Sequence, residues 1–255
     1  MDLMSCWRGT VGLIKPNYRP GSTEDLIRML PDGIGVIPLH IDIDRGTLTQ
    51  FEASIPDYEK MVAKLAELEV DIIHPAGSPP FQILGYRGEQ ELMERWEKKY
   101  KRPVFTNGMT QVNAFRALKA SRIVGASYFP AELNRSFAEY FREAGLEVLA
   151  MEGVDIEFGK VQTLAGTEIY RFIKRMFLAN RAAEAIYILG PAWRTLDIIE
   201  PLEQDCEVPV LHSVAARVWA TQRQFHTRQP RTGYGRLLAE LPPFASDESG
   251  NEVLR

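Results

Sequence analysis

Twice in this chain a buried-strand signal runs straight into a tight Gly/Pro turn and then into a helix. The first copy is Val70-Asp71-Ile72-Ile73 feeding His74-Pro75-Ala76-Gly77-Ser78-Pro79-Pro80. The second is Ala185-Ile186-Tyr187-Ile188-Leu189 feeding Gly190-Pro191-Ala192-Trp193-Arg194-Thr195-Leu196-Asp197. Short apolar runs of this kind read as parallel strands buried on both faces. In an open α/β sheet, the turn that leaves such a strand is where ligands bind. Two such turns in two similar halves imply a cleft lined from both sides.

The rest of the chain fits this frame, because strand and helix signals alternate from end to end. The first half reads as strands at 10–14, 35–39, 70–73 and 103–105, with helices from Ser22 or Thr23 to Leu30, at 57–68, 88–101 and 110–120. The pattern then restarts, with strands at 122–126, 147–150, 185–189 and 208–211 and helices at 131–144, 167–180, 195–202 and 213–225. Alternation of this kind builds parallel sheets with helices on both faces. The expected fold is α/β, with two pseudo-symmetric doubly wound lobes and an active-site cleft between them. One lobe is expected to combine residues 1–118 with 214–255, and the other to be 119–213. From Asp247 onward the polar tail is expected to fray.

The totals narrow the partners. The 255 residues are 45% hydrophobic and 25% charged, with a net charge of −4 and no basic tract, which argues against nucleic acid. The longest apolar stretches are strand-sized, so no transmembrane helix is expected. Met1 to Arg8 lacks the basic and apolar sequence of a signal peptide. Two distant cysteines, Cys6 and Cys206, are no disulfide framework and favour the cytoplasm. A homo-oligomer is left open.

Several segments together carry a family likeness. Val11-Gly12-Leu13-Ile14-Lys15-Pro16, Ser127-Tyr128, Arg194-Thr195-Leu196-Asp197 and Gly233-Tyr234-Gly235-Arg236-Leu237-Leu238 occur in an order and spacing that covers nearly the whole chain. In this the chain resembles the aspartate/glutamate racemase superfamily, and within it the arylmalonate decarboxylase and maleate isomerase branch. The resemblance implies a small-carboxylate site between two α/β halves and no metal or organic cofactor. It also implies a thiol at the end of each of the two device strands, 70–73 and 185–189, in the device turns that follow them. Those positions fall here on Gly77 and Gly190. The decarboxylases already carry glycine at the first position and keep the second cysteine as proton donor. This chain has glycine at both, and Cys6 and Cys206 lie outside the device turns, so two-thiol racemisation is not expected.

The same resemblance points to substrate-binding groups at Ser78 and Tyr128 and to a polar loop residue near Arg19, beside Lys15, Asn17 and Tyr18. Pro79 removes a hydroxyl and a backbone donor next to Ser78, and Arg19 could replace them with a two-pronged grip on a carboxylate. His212 and His74 are the candidate general bases, with Tyr128 as a third catalytic candidate. His74 reads equally well as a hydrogen-bonded core residue. His40 ranks lower, and His226 reads as surface. Ser213, Gly77, Gly190, Pro191 and Asp155, with Glu157 near it, complete the candidate substrate contacts. Trp193 and Phe81 suggest an apolar wall.

Three readings remain open: a cofactor-independent lyase on a small carboxylate; an isomerase, hydratase or hydrolase using histidine or acidic groups; and a carboxylate-binding protein on an enzyme fold. Fold alone does not choose between them.

Overall fold

The computed structural model describes residues 6–244. The expected fraying from Asp247 onward lies outside the described residues. The first half runs β1 (Gly9–Lys15), α1 (Ser22–Met29), β2 (Ile34–His40), α2 (Leu48–Ala53), α3 (Ile55–Glu67), β3 (Ile72–Pro75), α4 (Pro79–Gln82), α5 (Gly85–Tyr100) and α6 (Asn107–Ala117). The second runs β4 (Arg122–Ser127), α7 (Ala131–Glu143), β5 (Glu147–Gly153), α8 (Gly166–Ala179), β6 (Ala185–Ile188), α9 (Ile199–Cys206), β7 (Val210–His212), α10 (Ser213–Gln224) and α11 (Arg236–Glu240).

These strands form two all-parallel sheets, ordered β2-β1-β3 and β5-β4-β6-β7. The fold is α/β as expected, and each device strand lies beside the first strand of its own half. In the first sheet the fourth strand shrinks to a single bridge between Ile73 and Val104. Pro103 has no N–H to extend the ladder, while the Val104 amide, on the side away from β3, donates to the Glu97 carboxylate (2.9 Å). Thr106 then caps α6 at once, accepting from the Met109 amide.

Helix starts also differ from expectation: α3 begins two residues early, α5 and α6 three residues early, at Gly85 and Asn107, and two others begin with a different cap or turn. Gly21, not Ser22 or Thr23, precedes α1; its N–H donates to the Glu24 carboxylate at 2.7 Å. The helix expected from Thr195 begins as a 3₁₀ turn, Leu196–Ile198, and becomes α-helical at Ile199. Pro201 then falls in the first turn, where a missing N–H costs nothing.

The helices α6 and α10 are unlike the others. Residues 107–115 and 213–222 are buried on every face, although they include Asn107, Thr110, Gln111, Asn113, Arg217, Thr221 and Gln222. The two helices pack on each other, and α10 also packs on α1. A helix buried all round is normally apolar. Here Asn107 and Arg217 meet across the two helices at the floor of a cleft, and Gln111 bonds the Gln82 and Ser78 side chains. Among the described residues no helix is long and apolar enough to cross a membrane.

Candidate active site

The cleft opens where the strands of both sheets end. Its walls are the loop after β1 (16–20), the turn after β3 (Ala76 to Pro80), Tyr128-Phe129 after β4 and Leu189 to Ala192 after β6. Asn107 of α6 and Arg217 of α10 form its floor, and Ile43, Phe51 and Phe158 add apolar surface. This brings together seven of the candidates: Asn17, Arg19, Gly77, Ser78, Tyr128, Gly190 and Pro191.

Both turn glycines adopt backbone that a side chain would strain, with φ of +108° at Gly77 and +90° at Gly190. In each case a phenol fills the space a side chain would take. A Cβ at Gly77 would lie 2.8 Å from the Tyr58 hydroxyl, which donates to the Ala76 carbonyl at 2.6 Å. A Cβ at Gly190 would meet the Tyr128 ring and hydroxyl, with its contacts starting at 2.4 Å. Burial pushes the ionisation of both phenols far upward, so each remains a neutral hydrogen-bonding group.

Charge in the cleft is one-sided. Lys15, the last residue of the middle strand β1, is 6% exposed, and its ammonium donates to the Arg19 carbonyl. Burial lowers its pKa and Arg217 adds to this, against an opposing pull from Glu24. Arg217 is fully enclosed; burial brings its pKa from 12.5 down to about 10, so it stays charged at neutral pH. It donates to Asn107 Oδ1 at 3.2 Å, and its Nε has no hydrogen-bond partner among the described residues. Arg19 lies 4.0 Å over the Phe158 ring and leaves one buried guanidinium nitrogen unpartnered. Among the described residues lining the cleft there are three cations and no carboxylate, histidine or thiol. A buried cation without a counter-ion is costly, and an anionic ligand would supply the missing charge. Lys15 entered the sequence reading as part of the Val11 to Pro16 segment and as a neighbour of Arg19, and Arg217 and Asn107 not at all. The available signal was an arginine in the middle of the otherwise small and apolar run Val214-Ala215-Ala216-Arg217-Val218-Trp219.

The remaining candidates lie elsewhere. His74 is fully buried behind the floor, with Nε2 on Asn107 Oδ1 at 2.7 Å. That oxygen already accepts from Arg217, so His74 donates through Nε2–H and fixes Asn107. Burial holds its pKa well below 6.5, with Arg217 contributing. His212 caps α10 through Nδ1, which accepts from the Val214 amide at 3.2 Å. Burial and Arg217 take its pKa down to about 3. It lines a neighbouring cavity with Trp193, Thr195, Asp25 and Arg28, so Trp193 is a wall of that space and not of the main cleft. Ser213 is buried and is not among the cleft-lining residues. Asp155 is exposed on a third depression, and Glu157 is exposed and paired with Lys160. Phe81 is a core residue packed edge-on to Tyr58 and Trp96. The apolar wall is formed instead by Ile43, Phe51, Phe129 and Phe158. Cys6 lies against Gly35 at the opposite end of β2, and Cys206 is buried at the end of α9.

Solved structures share this architecture. A maleate isomerase from Pseudomonas putida S16 superposes with a TM-score of 0.84 at 19% identity, over 91% of this chain and 99% of that one. Unliganded arylmalonate decarboxylase gives 0.79 at 22% identity, over 91% and 99%. A Nocardia farcinica maleate cis-trans isomerase bound to TRIS gives 0.83 at 16%, over 91% and 98%. Another structure of the Nocardia farcinica enzyme holds a covalently bound succinylcysteine intermediate. No curated protein matches this sequence. The family model for arylmalonate decarboxylase matches residues 11–238, and the chain belongs to that family.

Proposed function

We propose that this protein is a cofactor-independent lyase that removes CO2 from a small malonate-type acid bearing an aryl or alkyl group. The observation that carries this reading is the one-sided charge of the cleft: Lys15, Arg19 and Arg217 around a space with no acidic lining residue, facing an apolar wall. Family membership and the fold agree with a decarboxylase- or isomerase-type reaction.

A dianionic malonate offers each side of such a cleft what it lacks. One carboxylate is held by the Arg217 fork and the Lys15 ammonium, with Ser78 and Tyr128 as neutral donors. The other is pressed towards Ile43, Phe51, Phe129 and Phe158, where loss of hydration favours departure as neutral CO2. The electron pair left behind spreads into the retained carboxylate, and fixed donors stabilise that charge. The substituent packs on the same rings, for about 1.5–3 kcal/mol.

The alternative of a hydrolase or isomerase run by His74 or His212 has less support, because both imidazoles are held neutral outside the cleft lining. The test is incubation with phenylmalonate and, separately, with maleate, followed by CO2 release and product NMR. Phenylacetate and CO2 are expected from the first. Tight binding of phenylmalonate without CO2 release would turn the reading into that of a carboxylate-binding protein, and conversion of maleate alone into that of an isomerase.

A further inference from the structure

The cleft contains no thiol, yet any carbanion formed in it must be protonated. We propose that the Lys15 ammonium is the proton donor, doing from the end of β1 what the family's thiol does from the turn after β6. This rests on the lyase reading above.

The placement comes first. Lys15 ends the central strand of the first sheet, beside the turn that carries Gly77 and before the loop that carries Arg19, and it lines the same cleft as both device turns. The Arg19 carbonyl anchors the ammonium and leaves its other N–H bonds for a ligand. Elimination comes second. Of the other cleft groups with exchangeable protons, Arg19 is a guanidinium ion that stays protonated, and Arg217, whose pKa burial lowers to about 10, is tied to Asn107 Oδ1 on the floor as the fork for the retained carboxylate. Ser22, Ser78, Asn17 and Asn107 are far weaker acids than an ammonium ion. Tyr128 is held neutral by burial, which makes its phenol a poorer acid than usual. Lys15 is shifted the other way, towards easier proton release, by burial and Arg217.

The step balances. The bond from the α-carbon to the departing carboxylate breaks, CO2 leaves, and the electron pair stays on the α-carbon as an enediolate. An N–H bond of Lys15 breaks, a C–H bond forms at that carbon, and the neutral amine recovers its proton from water. Arg217 from α10 favours proton release from Lys15 and Glu24 from α1 opposes it. The Arg19 carbonyl in its own loop accepts from the ammonium and also favours the protonated form, and His40 across the β1–β2 ladder is pushed towards its neutral form by burial and by Lys15.

The test uses the full chain with phenylmalonate as probe, and follows binding by calorimetry and CO2 release by rate. Lys15→Arg keeps a cation but cannot release a proton, so it should bind within a few-fold of wild type while kcat falls about 10²- to 10⁴-fold. In wild type, kcat should fall as pH rises through the lowered pKa of Lys15, because the ammonium is the active form. A Lys15→Cys variant on a Cys6→Ser, Cys206→Ser background, aminoethylated with 2-bromoethylamine, carries a more acidic ammonium. Its activity should return, with the basic limb moved to lower pH. Wild-type kcat in Lys15→Arg, or a restored enzyme whose basic limb does not move, would overturn the proposal while leaving the lyase reading in place. Wild type that neither binds nor decarboxylates phenylmalonate would overturn both.

Discussion

Replacing Arg217 by methionine should separate what the cleft does for binding from what it does to stability. The guanidinium is buried with no carboxylate among its interacting groups, and its pKa falls from 12.5 to about 10. That depression corresponds to roughly 3 kcal/mol by which the folded state disfavours the ion. The sign is that of a cation whose folded pKa is lowered: the cost is present at every pH below about 10, so it applies in full at neutrality. Methionine removes the charge and retains most of the apolar stem. Against this stands one hydrogen bond to Asn107 Oδ1, worth about 1.5–3 kcal/mol for a charged donor. Asn107 Oδ1 keeps its second partner, Nε2 of His74, so no acceptor is orphaned. The ligand-free variant should therefore be as stable as wild type or up to about 2 kcal/mol more so, a rise of several degrees in Tm for a chain of this size. Carboxylate affinity should fall ten- to a hundredfold, as expected for losing a charge-assisted contact. Urea unfolding of the ligand-free proteins and calorimetric titration with phenylmalonate read the two effects independently. A variant that loses 2 kcal/mol or more of stability and binds phenylmalonate as wild type does would refute the reasoning.

Further outcomes follow from other positions. Burial raises the pKa of the Glu89 carboxyl to about 7, beside the Tyr140 hydroxyl that donates to it. The folded state thus holds a proton that the unfolded chain releases near pH 4.5, and Glu89 costs stability as pH rises through that window. Buried His74 and His212 titrate in the opposite sense, so the quantity to measure is the stability difference between Glu89→Gln and wild type. It should shift in favour of the variant by about 2–3 kcal/mol from pH 5 to pH 8, and a constant difference would contradict the assignment. Gly190→Cys should destabilise by at least about 2 kcal/mol, since it combines a φ of +90° with the Tyr128 phenol; urea unfolding reads it, and unchanged stability would count against this geometry. Cys6→Ser with Cys206→Ser should leave phenylmalonate turnover unchanged, because neither thiol lines the cleft; loss of turnover in the folded double mutant would place a cysteine in the reaction.

The parallel sheets were legible because strands buried on both faces leave short apolar runs, and Val70 to Ile73 and Ala185 to Leu189 are two of the clearest. The turns after them were legible too, since Gly77 and Gly190 stand where the chain must reverse with positive φ. The strand expected at Pro103 to Phe105 is cut to one bridge, because Pro103 has no N–H to extend the ladder and Thr106 caps α6 directly after it. The two candidate histidines stand off the cleft lining for a physical reason. A histidine at the end of a strand can face a cleft or cap the next helix, and His212 does the latter. The cations of the floor were hidden because Arg217 enters from α10, far in sequence from either device turn. Nothing local marks a helix as buried on every face when it carries Arg217, Thr221 and Gln222.

The central claim is that the cleft is a carboxylate site built from uncompensated cations. Its most direct test is calorimetric titration of the wild-type protein with phenylmalonate and with its neutral dimethyl ester, at low and at high salt. The dianion should bind, the ester should bind at least a hundredfold more weakly, and salt should weaken the dianion only modestly because the cations are buried. Equal affinity for the dianion and the ester, or no binding of either, would contradict the account.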